Sequence, residues 1–169
     1  MVRGGGKRFM DEIQSKQGGA RVGIPPPLVF LAAVVGGFIL DRLVVRWSVP
    51  GGVAVRIALA VLCLGGGVAL GFPAIGRFRQ TGQDPKPWQP TPELVFDGPY
   101  RFTRNPMYVG MTLLTFGLGA AADTLWTLPL ALCALALVHV TAVRPEERYL
   151  EAKFGDPYLQ YKARVRRYL

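Results

Sequence analysis

The stretch that decides the fold is residues 107–143, MYVGMTLLTFGLGAAADTLWTLPLALCALALVHVTAV. Asp123 is its one acidic or basic residue apart from a histidine, and apolar runs at 107–122 and 124–143 lie on either side. A helix needs about 20 mainly apolar residues to cross the core of a bilayer. Because a single residue separates the runs, we predict two membrane-spanning helices joined in a tight hairpin.

Two further apolar runs, 28–47 and 53–75, precede this hairpin. The second contains Arg56 close to one end, where a guanidinium can extend to the membrane interface. Half of the 169 residues are hydrophobic, an unusually high share for a soluble domain. We therefore predict an all-α integral membrane protein with about four transmembrane helices, forming one domain over 28–169 after a basic tail, 1–27.

The 20 Lys and Arg residues flank the apolar runs and do not form a stripe along one element. Five precede the first run, five lie in the loop 77–105 and seven follow residue 143, which places most positive charge at one face. Cytoplasmic loops carry such an excess. We predict a bacterial inner-membrane protein with both termini in the cytoplasm, contacting membrane lipids and no nucleic acid.

Glycines recur within the runs, and small residues let helices approach closely in lipid. We interpret most of them as helix-packing positions, with Gly71 and Gly76 as weaker candidates for close approach to a ligand. Cys63 and Cys133 lie in apolar runs without a second pair, so we predict neither a disulfide nor a metal site.

The segment 145–169 leaves the membrane with charged and aromatic residues. Glu146 and Glu147 suit the positive end of a helix dipole, and Gly155 suits a helix end. Aromatic and apolar residues then recur at helical spacing among basic ones, at Tyr158, Tyr161, Val165 and Tyr168. The pattern predicts C-terminal helices, the second of them amphipathic and lying on the membrane surface.

Residues 98–110 read GPYRFTRNPMYVG, with rings, two arginines and a carboxamide directly before a membrane helix. The simple interpretation is an aromatic belt with arginines on lipid phosphates, and two solvated carboxylates in Glu146 and Glu147. However, both segments adjoin the last hairpin at the same face. We therefore expect them to be neighbours and to form a ligand site.

These residues carry a resemblance. The run 98–110, the hairpin, Glu146-Glu147, Phe154-Gly155 and the Tyr158/Tyr161 pair together resemble the isoprenylcysteine carboxyl methyltransferase and phospholipid methyltransferase superfamily. These are integral membrane enzymes that use S-adenosylmethionine. The isoprenylcysteine branch usually has His where this chain has Asn105, and Val-Pro-Arg where it has Val165-Arg166-Arg167.

The resemblance implies an S-adenosylmethionine pocket made by the loop, the ends of the last two spans and the C-terminal helices. The implied cofactor-binding residues are Tyr100, Arg101, Asn105, Pro106, Tyr108, Glu146 and Glu147. The implied catalytic residues are Arg104, Asn105 and Glu147. Methyl transfer from a sulfonium is mainly a matter of positioning and electrostatics, in which glutamates can bind an ammonium and arginine a carboxylate.

The acceptor stays open between the carboxylate of a prenylated cysteine-type compound and a lipid amine, which must be neutral to attack. His139, the one histidine, is a weak candidate for the acceptor side. Two other functions fit the pattern less well. A nicotinamide-dependent membrane reductase would resemble the C-terminal half, and a non-catalytic lipid-binding protein would need only the basic loops.

Overall fold

The structure is a computed structural model and describes residues 23–80 and 93–168. The predicted basic tail up to residue 22 and the part 81–92 of the predicted loop lie outside the described residues. Within the described ranges the regular structure is helical, with one isolated β-bridge between Thr103 and Arg166. The predicted all-α fold class is therefore confirmed.

Six α-helices follow one another along the described chain: α1 Pro26–Leu43, α2 Gly52–Gln80, α3 Pro106–Ala121, α4 Thr127–Val138, α5 Arg144–Phe154 and α6 Asp156–Arg164. A 3-10 turn, Gly98–Arg101, precedes α3. A π turn, His139–Val143, joins α4 to α5.

Three of the helical stretches are long and apolar enough to cross a membrane, namely Pro26–Leu43, Gly52–Arg77 and Thr127–Phe154, and α3 is apolar but shorter. The 28 residues of Thr127–Phe154 measure about 42 Å at the usual helical rise, which exceeds a hydrocarbon core of about 30 Å. Its charged part, α5, therefore lies beyond the bilayer core, and the apolar part ends at Val143. Large apolar side chains such as Leu31, Leu62 and Leu132 are exposed on the outside of the bundle, where lipid would cover them.

The first span ends earlier than predicted. Residues 44–47 leave the helix and their backbone pairs with the tip of the α3–α4 hairpin, because Leu125 N–H donates to the Trp47 carbonyl at 2.7 Å and the Trp126 indole donates to the Val45 carbonyl at 2.9 Å. The Trp47 and Trp126 rings meet edge to face, 5.1 Å apart. These contacts, and not the apolar pattern, place the boundary at Leu43.

The predicted tight hairpin is present, although its second helix begins at Thr127 and not at residue 124. Asp123 adopts a positive φ of 61° and Thr124 N–H closes the turn onto the Gly119 carbonyl at 2.9 Å. Arg56 forms an ion pair with Asp123 of the hairpin turn at 3.3 Å, and Arg46 approaches the same carboxylate at 3.8 Å.

Glycines bring α2 and α3 into backbone contact. A Cβ on Gly110 would lie 2.9 Å from the Gly67 carbonyl oxygen and 3.3 Å from the Gly71 Cα, while Gly76 faces open space. The helix-packing interpretation is thus confirmed at Gly67 and Gly110. Gly71 belongs to the same contact.

Adding a methyl group at this contact should separate the two helices. We expect Gly110→Ala to destabilise the fold by about 1–3 kcal/mol, since the clash is with backbone and cannot be relieved by a side-chain rotation. Gly65→Ala is the matched control because a Cβ there meets nothing within 4 Å. Unfolding of both variants in detergent micelles measures the difference; equal stability of the two would contradict the packing argument.

Candidate active site at one end of the bundle

Four segments meet at the end of the bundle where α3 begins: the loop from residue 93, the start of α3, the helix α5, and α6 with the residues after it. The structure brings the loop motif and the glutamate pair together, as expected from their common face. Tyr108 donates its hydroxyl to Glu146 at 3.3 Å, and Arg104 Nη1 lies 3.2 Å from Glu147 Oε1.

Prolines and glycines set the local chain directions. Pro106 occupies the first turn of α3, where a missing N–H costs no hydrogen bond. Pro145 lies directly after the π turn, in a helix that continues from α4. Gly155 has a φ of 59°, a conformation that favours glycine, and turns α6 back against α5. Lys162 of α6 pairs with Glu151 of α5 across this corner.

Glu147 sits between two arginines. Arg167 donates from Nε to Oε1 at 2.9 Å and from Nη2 to Oε2 at 2.8 Å, a bidentate pair. Arg104 approaches Oε1 from the other side. The side chains of Glu147 and Arg104 are 9% and 8% exposed, so these two groups are shielded from water, whereas the side chain of Arg167 is 37% exposed.

The predicted C-terminal amphipathic helix is wrong beyond Arg164, where α6 ends. Residues 165–168 are extended and lie beside the loop: Arg104 N–H donates to the Arg166 carbonyl at 2.9 Å. Thr103 Oγ1 and Asn105 Nδ2 both donate to the Arg167 carbonyl, at 3.1 and 3.0 Å. Helical spacing of apolar residues did not reveal this, because the competing hydrogen bonds come from residues some sixty positions earlier.

A small cavity of about 50 Å³ opens beside this cluster. Its lining combines a carboxylate, a guanidinium, three tyrosine rings and aliphatic side chains, contributed by Leu94, Val95, Tyr100, Arg104, Glu146, Leu150, Tyr158 and Tyr161. Tyr161 donates its hydroxyl to the Tyr100 carbonyl at 2.7 Å and packs edge to face on Phe96, which fixes one wall.

The two glutamates differ electrostatically. Burial raises the pKa of Glu146 to about 7, with the neighbouring Glu147 adding to the rise and the hydrogen bond from Tyr108 opposing it. Burial also acts to raise the pKa of Glu147, but the hydrogen bond from Arg167 and the charge of Arg104 outweigh it, so that pKa is lowered. Glu147 is therefore ionised at neutral pH, whereas Glu146 titrates near it.

The predicted site residues occupy three kinds of position. Tyr100, Arg104 and Glu146 line the cavity. Four other predicted residues are buried behind the cavity. Asn105 donates a hydrogen bond to the Arg167 carbonyl, and the remaining three, Pro106, Tyr108 and Glu147, pack among the helix ends. Arg101, in contrast, is exposed.

Sequence reasoning missed the roles of Arg167, Thr103 and Tyr168. The role of Arg167 could have been found from the resemblance, because Arg167 aligns with the arginine of the Val-Pro-Arg motif of the isoprenylcysteine branch. Tyr168 places its hydroxyl 2.9 Å from His139 Nδ1, at the start of the π turn. His139 thus contacts the C-terminal segment and does not line the cavity.

Comparison with known proteins adds family information. A segment of 72 residues, 43% of the chain, is 35% identical to the cobalt-zinc-cadmium resistance protein CzcN of Cupriavidus metallidurans, and it spans 33% of that protein's length. In residues 23–80 and 93–168, no group of three or more His, Cys, Asp or Glu is placed to hold a metal ion.

A second match covers more of the chain. The sequence model of the phospholipid methyltransferase family matches residues 55–157, more than half of the 169 residues and including the loop motif and both glutamates. The chain belongs to the phospholipid methyltransferase family.

Proposed function

We propose that this membrane protein transfers a methyl group from S-adenosylmethionine to a lipophilic acceptor, at the membrane face where the candidate site lies. The observation that carries the proposal is the cavity in which Glu146, Arg104 and three tyrosine rings face one another. Members of this family typically use S-adenosylmethionine. We also propose that this face is cytoplasmic, from the distribution of Lys and Arg.

The cavity residues match the chemistry of the cofactor. Its amino-acid end carries an ammonium and a carboxylate, which Glu146 and Arg104 can pair with, and its adenine can pack against tyrosine rings. Arg104 Nε is buried and makes no hydrogen bond within the described part of the chain. A buried donor without a partner is unfavourable by about 1–3 kcal/mol, so an added carboxylate would supply what this guanidinium lacks.

The cavity is smaller than the proposed ligand. Its volume of about 50 Å³ compares with roughly 300–1,000 Å³ for pockets that hold drug-sized ligands. Leu94 and Val95, two apolar residues of its wall, belong to no helix. We therefore infer that these loop residues move outward on binding, while the walls from α5 and α6 stay in place.

When bound, S-adenosylmethionine supplies a methyl group on a positively charged sulfonium. The chain's own contribution is to hold both reactants in line and exclude water. The family favours a lipid amine as acceptor, and the resemblance to the isoprenylcysteine branch keeps a prenylated carboxylate as the second candidate. Vesicles containing phosphatidylethanolamine and a prenylated cysteine, offered separately, distinguish the two acceptors.

Titration of the detergent-purified protein with S-adenosylhomocysteine tests the cofactor. We expect saturable heat and thermal stabilisation, and Arg104→Ala should weaken affinity by about tenfold or more because it removes a charge-assisted pair worth roughly 1.5–3 kcal/mol. Arg148→Ala is the control, an exposed arginine on α5. If the wild-type protein shows neither heat nor stabilisation, the proposal is wrong, and the reductase or lipid-binding function takes its place.

Affinity should also depend on pH through Glu146. Its raised pKa means that the carboxyl takes up a proton as the pH falls through about 7, and the neutral acid no longer pairs with an ammonium. We expect S-adenosylhomocysteine binding to weaken roughly eightfold from pH 7.5 to pH 6, as follows from a single group of that pKa. Glu146→Gln should bind weakly with a flat profile; retention of the wild-type slope in this variant would show that another group titrates.

A further inference from the structure

We propose that Arg167 is a positioning residue that neutralises Glu147 and so leaves the charge of Arg104 available to a ligand carboxylate. This inference rests on the proposed function, because the ligand is the S-adenosyl cofactor. The two glutamates then have different roles. Glu146 faces the cavity, and Glu147 forms ion pairs with Arg104 and Arg167.

Both oxygens of Glu147 are engaged by arginines. Both of its carboxylate oxygens accept a hydrogen bond from Arg167, and Oε1 is also approached by Arg104. Its side chain is 9% exposed and is absent from the cavity lining. Its charge is already paired with a bidentate arginine. We therefore do not place Glu147 in contact with the cofactor.

Among Glu147 and its two arginine partners, two guanidinium groups face one carboxylate, an excess of one positive charge. Arg167 makes the two direct hydrogen bonds, whereas Arg104 approaches one oxygen at 3.2 Å and keeps its Nε without a hydrogen bond in the described structure. The excess thus resides mainly on Arg104, which lines the cavity. Without Arg167, Glu147 would pair with Arg104 alone and cancel that charge.

The backbone around Arg167 fixes this arrangement. The Arg166 carbonyl accepts from Arg104 N–H, and the Arg167 carbonyl accepts from Thr103 and Asn105, the residues on either side of Arg104. The extended segment 165–168 is therefore hydrogen-bonded to the loop at and beside Arg104, the arginine that lines the cavity. Residues 166 and 167 lie beyond residue 157, where the family match ends, whereas residues 103–105 lie within it.

The test compares Arg167→Ala with Arg166→Ala, a neighbouring exposed arginine. Two probes are titrated: S-adenosylhomocysteine, and 5′-methylthioadenosine, which keeps the adenosine but has no carboxylate. We expect Arg167→Ala to weaken S-adenosylhomocysteine binding by about tenfold or more, the effect of losing one charged hydrogen-bonded pair, and to leave methylthioadenosine affinity unchanged. A merely structural role would weaken both probes alike, and that result would overturn the proposal.

A second variant guards against poor folding of Arg167→Ala, because the buried carboxylate of Glu147 would lose two hydrogen bonds. In Glu147→Gln/Arg167→Ala no carboxylate remains to cancel the charge of Arg104. We expect this double variant to bind S-adenosylhomocysteine more tightly than Arg167→Ala, or to bind it where the single variant does not fold. Equal weakness of folded single and double variants would contradict the charge argument. Absence of binding by the wild-type protein would instead refute the proposed function itself.

Discussion

The backbone contact between α2 and α3 at Gly67 and Gly110 is the constraint on which the candidate site depends. In lipid there is little hydrophobic force between helices, so close packing of small residues has to hold them together. The helix α3 carries the loop motif at its first turn, and its position is set by this contact. A shift of α3 along α2 would move Arg104 away from Glu147.

Buried charge is the second organising element. Four charged or titratable side chains, Arg104, Glu146, Glu147 and Arg167, meet where the bundle ends. Buried ion pairs add little net stability, because desolvation offsets the attraction between the charges. These contacts instead fix the positions of Arg104 and Arg167, whose two positive charges exceed the one negative charge of Glu147. Beside them lies Glu146, a carboxyl group that titrates near neutrality. Such an arrangement is typical of sites that bind a ligand carrying both signs of charge.

The sequence was most informative where the physics is local. Long apolar runs predicted the spans, and the single residue Asp123 predicted the hairpin, because a bilayer requires helices of a given length. Family motifs indicated Tyr100, Arg104 and Glu146, although the division of roles between Glu146 and Glu147 required the structure. The features that could not be predicted depend on contacts between residues far apart in the sequence.

The boundary at Leu43 is set by hydrogen bonds to residues 125 and 126, and the extended segment after Arg164 by hydrogen bonds to residues 103–105. The side chains at 158, 161, 165 and 168 do have helical spacing, but backbone pairing with the loop outweighs that local preference. The ion pair between Arg56 and Asp123 likewise could not be predicted from the apolar residues around Arg56.

The π turn at His139–Val143 has a consequence for helix register. A π turn accommodates one residue more than an α-helical turn, and each residue advances an α-helix by about 100°. The faces of α5 are thus rotated by about that angle relative to an uninterrupted continuation of α4. Glu146 and Glu147 are adjacent, so the same angle separates their directions. If the same residues wound as regular α-helix, Glu146 would point where Glu147 now points, away from the cavity, which makes the π geometry of this turn, and not only its composition, a determinant of which carboxylate a ligand meets.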